Sequence, residues 1–598
     1  MTMPNAPSVP LIDTVELNAE FTVLSTLLRE KISFPVNQRS YLWGEKQVTA
    51  LFNDLLKWFK EKQYESDDIT SKFYRLGFIE IRHKLNNGST HAYIYDGQQR
   101  IISCLILLTV IAQKYPKGAI NNEIQTFYSG GSSGTPFVDV QNGGKILANY
   151  LNDGKIGEAQ NRDQEHIIKS IKTFSKLIDN TGFSPYEINH FGALIHNRVG
   201  LHKTRTSSRK QASEIFEKSN NRGLQVSPIS LIFNKLVDSV DESEEEKLRE
   251  QRNQADQYLW EASRGSKIKS DLSYLVRYMI EAKSGQKCRE NNLVKMFEEH
   301  YGYGEAKSFM NEMFLKSQQL ASILDNSPVI AALDAKQVLA VKLAACDLPN
   351  DMQNYVFEIL DARALMYSIS QEKQTEYSVL VAKWASEVRR LCNQEDVTRA
   401  DINNALKHDW SEQFSIFKQK LRTIDFKQKR LKLCVAIAEV SLLDAMNEEK
   451  IPVANTNFSV RAMIKPEKGS IHRDHILPKS LPDFDKNYSL GQTLGNIAFL
   501  NDIANILKLD TLPEENCLLY SGSPFCTSKV IAPVINEPYL EKFFDKMFNG
   551  KPRPHVGDGW NHEKMEQRLD FMIELICSYV SKRLDPIQSK TKFDSTMD

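Results

Sequence analysis

The segment IHRDHILPKSL places two histidines and an aspartate beside a proline that ends the predicted strand. Histidine titrates near neutral pH, so His475 can act as a general base that takes a proton from water. The carboxylate of Asp474 is the kind of ligand that a hard cation such as Mg²⁺ prefers. The pair suits phosphodiester hydrolysis, in which a cation offsets negative charge on the scissile phosphate.

The residues around and after His475 predict the elements that would position these groups. A first strand carries Asp474 and His475, a second strand spans 494–500 and includes Asn496, and a helix carries Asn505. This is a β-β-α succession. We expect Asp474 and Asn505 to supply oxygen ligands to Mg²⁺ or Mn²⁺, and His475 to supply the base.

Two other interpretations of the same residues remain open. His472 and His475 could join Cys517 and Cys526 in a structural zinc site, although the spacing of the two thiols fits a zinc finger poorly. An inactive fold with the same pattern is the second alternative, because an Asp-His dipeptide occurs often by chance.

A second group of polar residues lies in the N-terminal part of the chain. YDGQQR puts amide and guanidinium side chains beside Gly97, where the backbone can approach a ligand, and FPVNQRSYLW adds more of them. A strand that ends at Asp96 leads directly into a helix, whose N-terminus can bind an anion. The candidate binding residues are Gln38, Arg39, Asp96, Gln98, Gln99 and Arg100. The alternative is an ordinary helix start, with Asp96 as N-cap and the glutamines and arginine in solvent.

Aromatic residues accompany both of these strings. Tyr41, Trp43 and Tyr95 could stack on a nucleic-acid base, and a place in the hydrophobic core explains them at least as well. The sequence leaves that choice open.

Composition limits the partners that the whole molecule can attract. The chain has 598 residues with 76 basic and 76 acidic side chains, so its formal net charge is zero. A nucleic-acid surface must then be a local patch. The basic segment 417–433 is interpreted either as a solvated helix face, which we favour, or as a surface that contacts phosphate.

Cysteine spacing and hydropathy indicate the cellular setting. Eight cysteines without a CxxC pair predict reduced thiols in the cytoplasm. The longest apolar run, 101–113, is too short to span a bilayer and predicts a buried helix. The first residues lack the pattern of a secretion signal. We therefore expect a cytoplasmic protein without a membrane partner.

The distribution of strand and helix patterns predicts an α+β multidomain protein. Residues 1–240 alternate the two patterns, with a β-hairpin formed by 73–84 and 91–96. Residues 241–454 are mostly helical. Residues 455–598 combine short strands and loops with a terminal amphipathic helix.

The C-terminal pattern resembles the HNH (ββα-metal) nucleases, specifically the C-terminal domain of GmrSD-type, modification-dependent (type IV) restriction enzymes. The resemblance implies His475 as general base, Asp474 and Asn505 as metal ligands, and Asn496 as the central asparagine that orients the loop or the base. All four family positions are filled, which argues against an inactive fold. His472 lies where the family varies.

The N-terminal strings resemble the N-terminal domain of the same family, which has a ParB-like nucleotide-binding and hydrolysing α/β fold. A third family string matches FEKSNNRGLQVS, and it implies that Phe216, Asn220, Arg222 and Gly223 belong to the nucleotide site. Asn37 replaces the usual tyrosine, and Ser230 replaces the usual acidic residue. Either departure could change which base or nucleotide is recognised.

The resemblance implies an antiviral DNA endonuclease or nickase. Its N-terminal domain would sense modified phage double-stranded DNA and bind or hydrolyse a nucleoside triphosphate, GTP or ATP, and its HNH domain would cut with Mg²⁺. A nucleotide-dependent DNA-binding regulator with an inactive HNH fold and an RNA-directed nuclease toxin are the alternatives. The sequence contains no Walker A string, which excludes a P-loop mechanism. Assembly into a homo-oligomer is left open.

Overall fold

The structure is a computed structural model of the chain. It describes residues 19–33, 41–63, 73–86, 89–129, 143–205, 227–264, 268, 270–333, 335–371, 373–451, 459–464, 471–481, 484, 489–523, 525–532, 537–556 and 559–587.

The chain divides into two compact units. The first comprises Met1–Trp260 and Phe297–Asn311, and the second comprises Glu261–Met296 and Glu312–Asp598. The middle helical region contributes to both units. The three predicted domains, 1–240, 241–454 and 455–598, stay a prediction. The α+β multidomain class is as predicted.

A five-stranded mixed sheet organises the first unit. Its strands are β1 (Ala19–Val23), β2 (Lys31–Ser33), β3 (Tyr74–Asn86), β4 (Ser89–Asp96) and β5 (Val199–Arg205), in the order β1-β5-β3-β4-β2. Strands β3 and β4 pair antiparallel, which agrees with the predicted hairpin. Strands β2 and β4 are parallel, as are β3 and β5, and β1 pairs antiparallel with β5.

Helices accompany this sheet. The helix Gln98–Lys114 follows β4 directly and is buried along almost its whole length, as its run of apolar residues predicts. The other helices up to residue 263 are Leu24–Leu27, Glu45–Gln63, Ala119–Ser129, Gly144–Asp153, Arg162–Asp179, Pro185–Arg198, Pro228–Asp238 and Glu242–Ser263.

Helices make up most of the described residues between 272 and 464. They are Leu272–Ser284, Glu290–Asn292 (3-10), Leu293–His300, Ala306–Asn326, Pro328–Leu333, Lys336–Val338 (3-10), Leu339–Ala345, Asn350–Ser370, Gln374–Leu391, Arg399–Ala405, Ser411–Leu421, Lys429–Glu448 and Val460–Ile464. The helix Lys429–Glu448 packs against the terminal helix His562–Leu584. This packing is the physical reason that no unit boundary falls near residue 454.

The remainder of the second unit contains the predicted β-β-α succession. Strand β6 (Ile471–His475) pairs antiparallel with β7 (Ile497–Asn501), and the helix Asp502–Lys508 follows at once. The second strand begins later than predicted, because Leu494–Asn496 forms a 3-10 turn. The later helices are Pro513–Glu515 (3-10), Cys517–Ser521, Cys526–Ile531, Pro538–Met547, His562–Leu584 and Asp585–Ile587 (3-10).

Across the described ranges, no helix is both long enough and apolar enough to cross a membrane.

Candidate functional site

The β6–β7 pair and its helix position the predicted catalytic residues in the second unit. Asp474 lies opposite Ala498, and His475 lies opposite Ile497. The helix starts at the end of β7, where the side chain of Asn501 accepts a hydrogen bond from Ala504 N and caps the first turn. A short strand pair and the capped helix that directly follows β7 therefore hold this part of the site.

The ring of His475 is held by one amide and two aromatic side chains. Its Nε2 lies 3.1 Å from Gln492 Oε1, and its ring lies between Phe426, at 4.3 Å between ring centroids, and Phe484, at 5.9 Å. Burial lowers the pKa of His475, which favours the neutral ring at pH 7. With the Gln492 oxygen accepting from Nε2–H, the lone pair that can take a proton is on Nδ1.

Asp474 is held by two residues that sequence reasoning missed. Its Oδ2 lies 3.1 Å from Lys508 Nζ and accepts a hydrogen bond from the Tyr520 hydroxyl at 3.0 Å. Lys508 is 1% exposed and also donates to the backbone oxygen of His475 at 2.8 Å. Burial raises the pKa of Asp474, while Lys508 and Tyr520 act in the opposite direction. In the sequence, the only indication that Lys508 could reach Asp474 is its position three residues after Asn505.

Asn496 holds the loop that follows β6. Its Oδ1 accepts from Leu477 N at 2.8 Å and from Trp560 Nε1 at 3.0 Å. Its Nδ2 donates to the carbonyl oxygens of Leu477, at 3.1 Å, and Gly491, at 3.0 Å. These four bonds use the full capacity of the amide, and the side chain is fully buried. The geometry favours the loop-orienting role for Asn496 over direct contact with a substrate.

Asn505 is half-buried on the helix that packs against β6. It lies three residues before Lys508, so the two side chains share one face of the helix, and Lys508 on that face contacts Asp474. A carboxylate and an amide oxygen on facing elements form a donor set that suits a hard cation. Both contacts described above are made by Oδ2 of Asp474, so its Oδ1 is the oxygen left for such an ion.

The structure does not support the zinc alternative. His472 Nε2 lies 2.7 Å from Asp502 Oδ1, and His475 is engaged with Gln492. Among the described residues, no group of three or more histidine, cysteine, aspartate or glutamate side chains is arranged to hold a metal. Cys526 is buried, and burial raises the pKa of its thiol to about 12.

Positive charge surrounds His475. Arg473 donates to the carbonyl oxygen of Phe426 at 3.0 Å and lies over the Phe426 ring at 4.7 Å. Burial and the charge of Arg473 lower the pKa of Lys432. Lys479 and Lys508 act on the pKa of His475 through their charges. A local basic patch of this kind can attract a phosphate backbone although the net charge of the chain is zero.

Two of these residues, Phe426 and Lys432, belong to the basic segment 417–433. Phe417, Leu421 and Leu431 in this segment are buried, while Lys418, Arg422 and Lys427 are exposed, as a solvated basic face requires. Phe426 packs on His475, which places the segment beside the candidate site. The alternative interpretation, a phosphate-contacting surface near the C-terminal domain, gains support from this position.

The YDGQQR string forms the junction between β4 and the helix Gln98–Lys114 in the first unit. Gly97 is the N-cap residue and has φ +91, a conformation that favours glycine. Asp96 Oδ1 accepts from Gly97 N at 2.7 Å. Gln98 and Gln99 are buried, so the interpretation as a helix start with solvated glutamines and Asp96 as the N-cap is wrong.

Arg100 connects the start of the helix Gln98–Lys114 to β3 through hydrogen bonds. It donates to the carbonyl oxygens of Leu76, at 3.1 Å, and Phe78, at 2.9 Å, and lies 3.4 Å from Asp96 Oδ2. Gly77 has φ +119, and a Cβ at that position would overlap the Arg100 guanidinium. The guanidinium is therefore engaged mainly with backbone, and a glycine in β3 makes its approach possible.

Gln99 and Tyr41 connect this junction to the segment that follows Arg39. Gln99 Oε1 accepts from Leu42 N at 2.8 Å. Tyr41 is 2% exposed, and its hydroxyl bonds to Ser103 at 2.8 Å and Ser170 at 3.1 Å. The prediction of Tyr41 as a sensing or base-stacking residue is corrected, because its ring is packed in the core. Tyr95 is also buried.

Four predicted residues, Gln38, Arg39, Asn220 and Arg222, lie outside the described residues, as do Phe216 and Gly223. Before Gln38 and Arg39 in the sequence, Ser33 lies beside Tyr93 of β4. After them, the backbone nitrogen of Leu42 donates to Gln99. Ser230 is buried, with its Oγ 2.8 Å from Ser227 Oγ in the first turn of Pro228–Asp238.

Glu80 is a buried acid beside the YDGQQR junction that sequence reasoning missed. It lies opposite Asp96 in the register of β3 and β4, at a bulge between Glu80 and Ile81. Burial, and then the negative charge of Asp96, raise the pKa of Glu80 to about 8. No sequence signal distinguishes this glutamate, because it stands in an ordinary strand pattern and only the pairing register brings it to Asp96.

Comparison with known proteins identifies the N-terminal part of the chain. Residues 24–237 match the family described as GmrSD restriction endonuclease, N-terminal domain. A search of curated proteins finds no match. The matched range contains β2 to β5 and the YDGQQR junction, and it confirms the resemblance expected for this region. The C-terminal resemblance lies outside that range and stays a prediction. Residues 24–237 are thus related to the N-terminal domain of the GmrSD restriction endonucleases.

Proposed function

We propose that this protein is a DNA endonuclease or nickase of a phage-defence restriction system, and that it cuts at the Asp474–His475 site. The observation that carries the proposal is the geometry of His475. Its ring is held by Gln492 beside the carboxylate of Asp474 and within a local basic patch. The family match over 24–237 supports the restriction-endonuclease class.

In this function His475 takes a proton from the attacking water. Lowering of its pKa by burial favours the neutral ring near pH 7, which a general base requires. Gln492 fixes the orientation of the ring, and Phe426 and Phe484 restrict its rotation. Arg473, Lys432 and Lys479 would hold the DNA backbone beside the ring.

Asp474 and Asn505 would hold a Mg²⁺ or Mn²⁺ ion, which supplies charge neutralisation at the scissile phosphate when bound. Lys508 and Tyr520 orient Asp474 for that role through its Oδ2. Asp474→Ala and Asn505→Ala should each weaken cutting in a way that a higher concentration of Mg²⁺ or Mn²⁺ partly restores, because each change removes one oxygen ligand.

The first unit would bind a nucleoside triphosphate and sense modified phage DNA. The buried helix Gln98–Lys114 offers the positive end of its dipole at the YDGQQR junction, where an anion is favoured. Asp96 and Arg100 are each about one quarter exposed there and remain accessible to a ligand. Asn220 and Arg222 of the third family string would complete the nucleotide site.

The decisive experiment is cleavage of matched modified and unmodified phage DNA by the purified protein. Each DNA is incubated with and without Mg²⁺, and with and without GTP or ATP. Cutting that needs Mg²⁺, prefers the modified DNA and is absent from His475→Ala is the expected result. Undiminished cutting in EDTA would contradict the cation assignment, and cleavage of RNA in place of DNA would favour the toxin alternative.

One observation favours a second candidate, a nucleotide-dependent DNA-binding regulator without nuclease activity. The ammonium group of Lys508 already neutralises Asp474, so a described cation stands beside the predicted metal ligand. In a regulator, that ion pair would be purely structural. Metal-dependent nicking of a supercoiled plasmid separates the two candidates, because a regulator would bind the plasmid and leave it intact.

A further inference from the structure

Glu80 is a buried acid in the first unit to which the proposed function assigns no role. Its side chain is 3% exposed, and neither of its carboxylate oxygens has a hydrogen-bond partner among the described residues. An ionised carboxylate in such a place is unfavourable unless a proton or a cation offsets its charge. The position therefore calls for a proton or a cation, because the described side chains do not offset the charge.

The strand register places this carboxylate next to that of Asp96. Glu80 and Asp96 are directly paired in β3 and β4, and paired residues of antiparallel strands carry their side chains on the same face. The charge of Asp96 acts on Glu80, which agrees with that placement. The side chain of Asp96 is 28% exposed, so a solute can reach the pair from solvent.

Asp96 has capacity for a further ligand. Its Oδ1 accepts from Gly97 N at 2.7 Å, while its Oδ2 lies 3.4 Å from Arg100 Nη2, which is a long hydrogen bond. Arg100 donates more closely to the carbonyl oxygen of Phe78. One or two carboxylates are the usual protein contribution to a Mg²⁺ site, and waters and phosphate oxygens complete the coordination.

We propose that Glu80 and Asp96 together bind a divalent cation of the Mg²⁺ type at the end of β4. The support for a bound cation is the geometry of the two carboxylates. The place of this cation beside a triphosphate rests on the proposed function. There the cation would join phosphate oxygens to two carboxylates, groups of like charge that otherwise repel each other.

Binding of Mn²⁺ alone, counted by the electron paramagnetic resonance signal of the free ion, tests the proposal. The Asp474→Asn background removes the other proposed cation site. In that background the full chain should bind Mn²⁺, and Glu80→Gln should weaken binding about tenfold or more. Loss of partners outside the coordination shell already costs about 10–100-fold, and Glu80 would be a direct ligand.

The matched control is Glu30→Gln in the same background. Glu30 lies beside the same sheet and is already paired with Lys203 and His83, so its replacement should leave Mn²⁺ binding unchanged. Equal Mn²⁺ affinity with and without Glu80→Gln would overturn the proposal and identify Glu80 as a buried neutral acid. If Glu80→Gln fails to fold, Asp96→Asn carries the same test, and unchanged affinity there overturns the proposal equally.

A parallel assay of triphosphate hydrolysis separates this proposal from the proposed function. Loss of Mn²⁺ binding in Glu80→Gln, with no hydrolysis by the unaltered chain, would support the cation site and remove the nucleotide function. If the unaltered chain hydrolyses triphosphate and Glu80→Gln does not change its affinity for Mn²⁺, the cation site is overturned and the nucleotide function is kept.

Discussion

At the scale of single residues, the environment of a side chain decides what its type can do. His475 and His472 lie three residues apart on one strand, yet their surroundings differ. His475 is enclosed by two aromatic rings and bonded to an amide oxygen, whereas His472 is 40% exposed and paired with Asp502. His475 combines a fixed orientation with a pKa that burial lowers.

Replacement of His475 by alanine should lower the cutting rate about 10²–10⁴-fold, the usual contribution of a general base. Plasmid nicking under saturating Mg²⁺ measures the effect. His472→Ala is the matched control and should retain most of the activity, because His472 lies on the same strand but its Nε2 is bonded to Asp502 at the surface. A His475→Ala protein that nicks at the rate of the unaltered chain would remove His475 from the mechanism.

The same residue sets the expected pH dependence of cutting. The base works when it is unprotonated, and burial lowers its pKa below the ordinary 6.5. The rate should therefore rise with pH through a value below 6.5 and be level above it. A rate that first becomes level well above pH 7 would show that another group supplies the base.

Glu80 predicts a pH dependence of stability in the metal-free protein. Its pKa is about 8 in the folded chain, against 4.5 ordinarily, so the folded state binds more protons than the unfolded state between these values. The free energy of unfolding should fall as pH rises through that window, by about 1.4 kcal/mol for each unit of pKa difference at most. Glu80→Gln should flatten the profile.

Thermal melting in EDTA between pH 5 and 8.5 measures this difference. Glu439 in the second unit has a pKa raised in the same direction, to about 8, and it contributes equally to both proteins. Subtraction of the two profiles therefore isolates Glu80. Parallel profiles for the unaltered chain and Glu80→Gln would contradict the assigned burial of Glu80.

At the scale of elements, the start of the helix Gln98–Lys114 depends on β3. Arg100 reaches the carbonyl oxygens of Leu76 and Phe78 because Gly77 leaves space and adopts a positive φ. The bulged strand and the helix start are therefore one structural feature, and the YDGQQR string alone would not form it.

Gly77→Ala should destabilise the chain by about 1–3 kcal/mol, because the residue would be strained and its Cβ would displace Arg100. Denaturant unfolding measures the change. Gly144→Ala is the control: no atom lies within 4 Å of a Cβ there, the glycine is helical, and a small gain in stability is expected. Equal stabilities for the two variants would refute the coupling of Arg100 to β3.

The helix Asp502–Lys508 is joined to β6 through Lys508. Lys508→Met removes the counter-ion of a carboxylate that is only 15% exposed, and loss of one partner of a buried pair costs about 3–5 kcal/mol. We expect a loss near the lower end of that range, together with weaker cutting. Urea unfolding measures it. Lys479→Met, at an exposed position near the same histidine, should change stability by no more than about 0.5 kcal/mol. A Lys508→Met protein as stable as this control would contradict the ion pair.

At the scale of the whole molecule, the two candidate sites lie in different compact units. A nuclease that acts only on modified DNA needs the sensing site to influence the cutting site. Such influence is a coupling free energy, and a ligand exerts it only by binding one state better than another. The nucleotide and the DNA should therefore change each other's affinity by the same factor.

Arg100→Ala and Asp96→Ala should abolish triphosphate hydrolysis and change the cutting rate without touching the Asp474–His475 site. Hydrolysis and nicking are measured for both variants beside His475→Ala, across a range of nucleotide concentrations. His475→Ala is the reciprocal control and should keep hydrolysis while losing cutting. Lost hydrolysis with unaltered cutting of both modified and unmodified DNA would show that the two sites are independent.

Local sequence patterns are enough to predict the order of several elements. The hairpin β3–β4, the buried helix after Gly97 and the β-β-α succession around His475 follow from hydrophobic periodicity and from residues that end strands and start helices. These signals act over a few residues, so they could be recognised without knowledge of the packing. The family resemblance of the N-terminal region was likewise carried by short strings.

Contacts between side chains that are distant in sequence become visible only in the folded chain. Tyr520 lies 46 positions from Asp474 in sequence, and Lys508 reaches the same carboxylate from a different element. A tyrosine such as Tyr41 can stack on a base or fill the core, and its residue type does not distinguish the two. Its contacts with Ser103 and Ser170 place it in the core. Glu80 meets Asp96 through one choice of strand register. Such contacts depend on the packing of distant elements, which local periodicity does not encode.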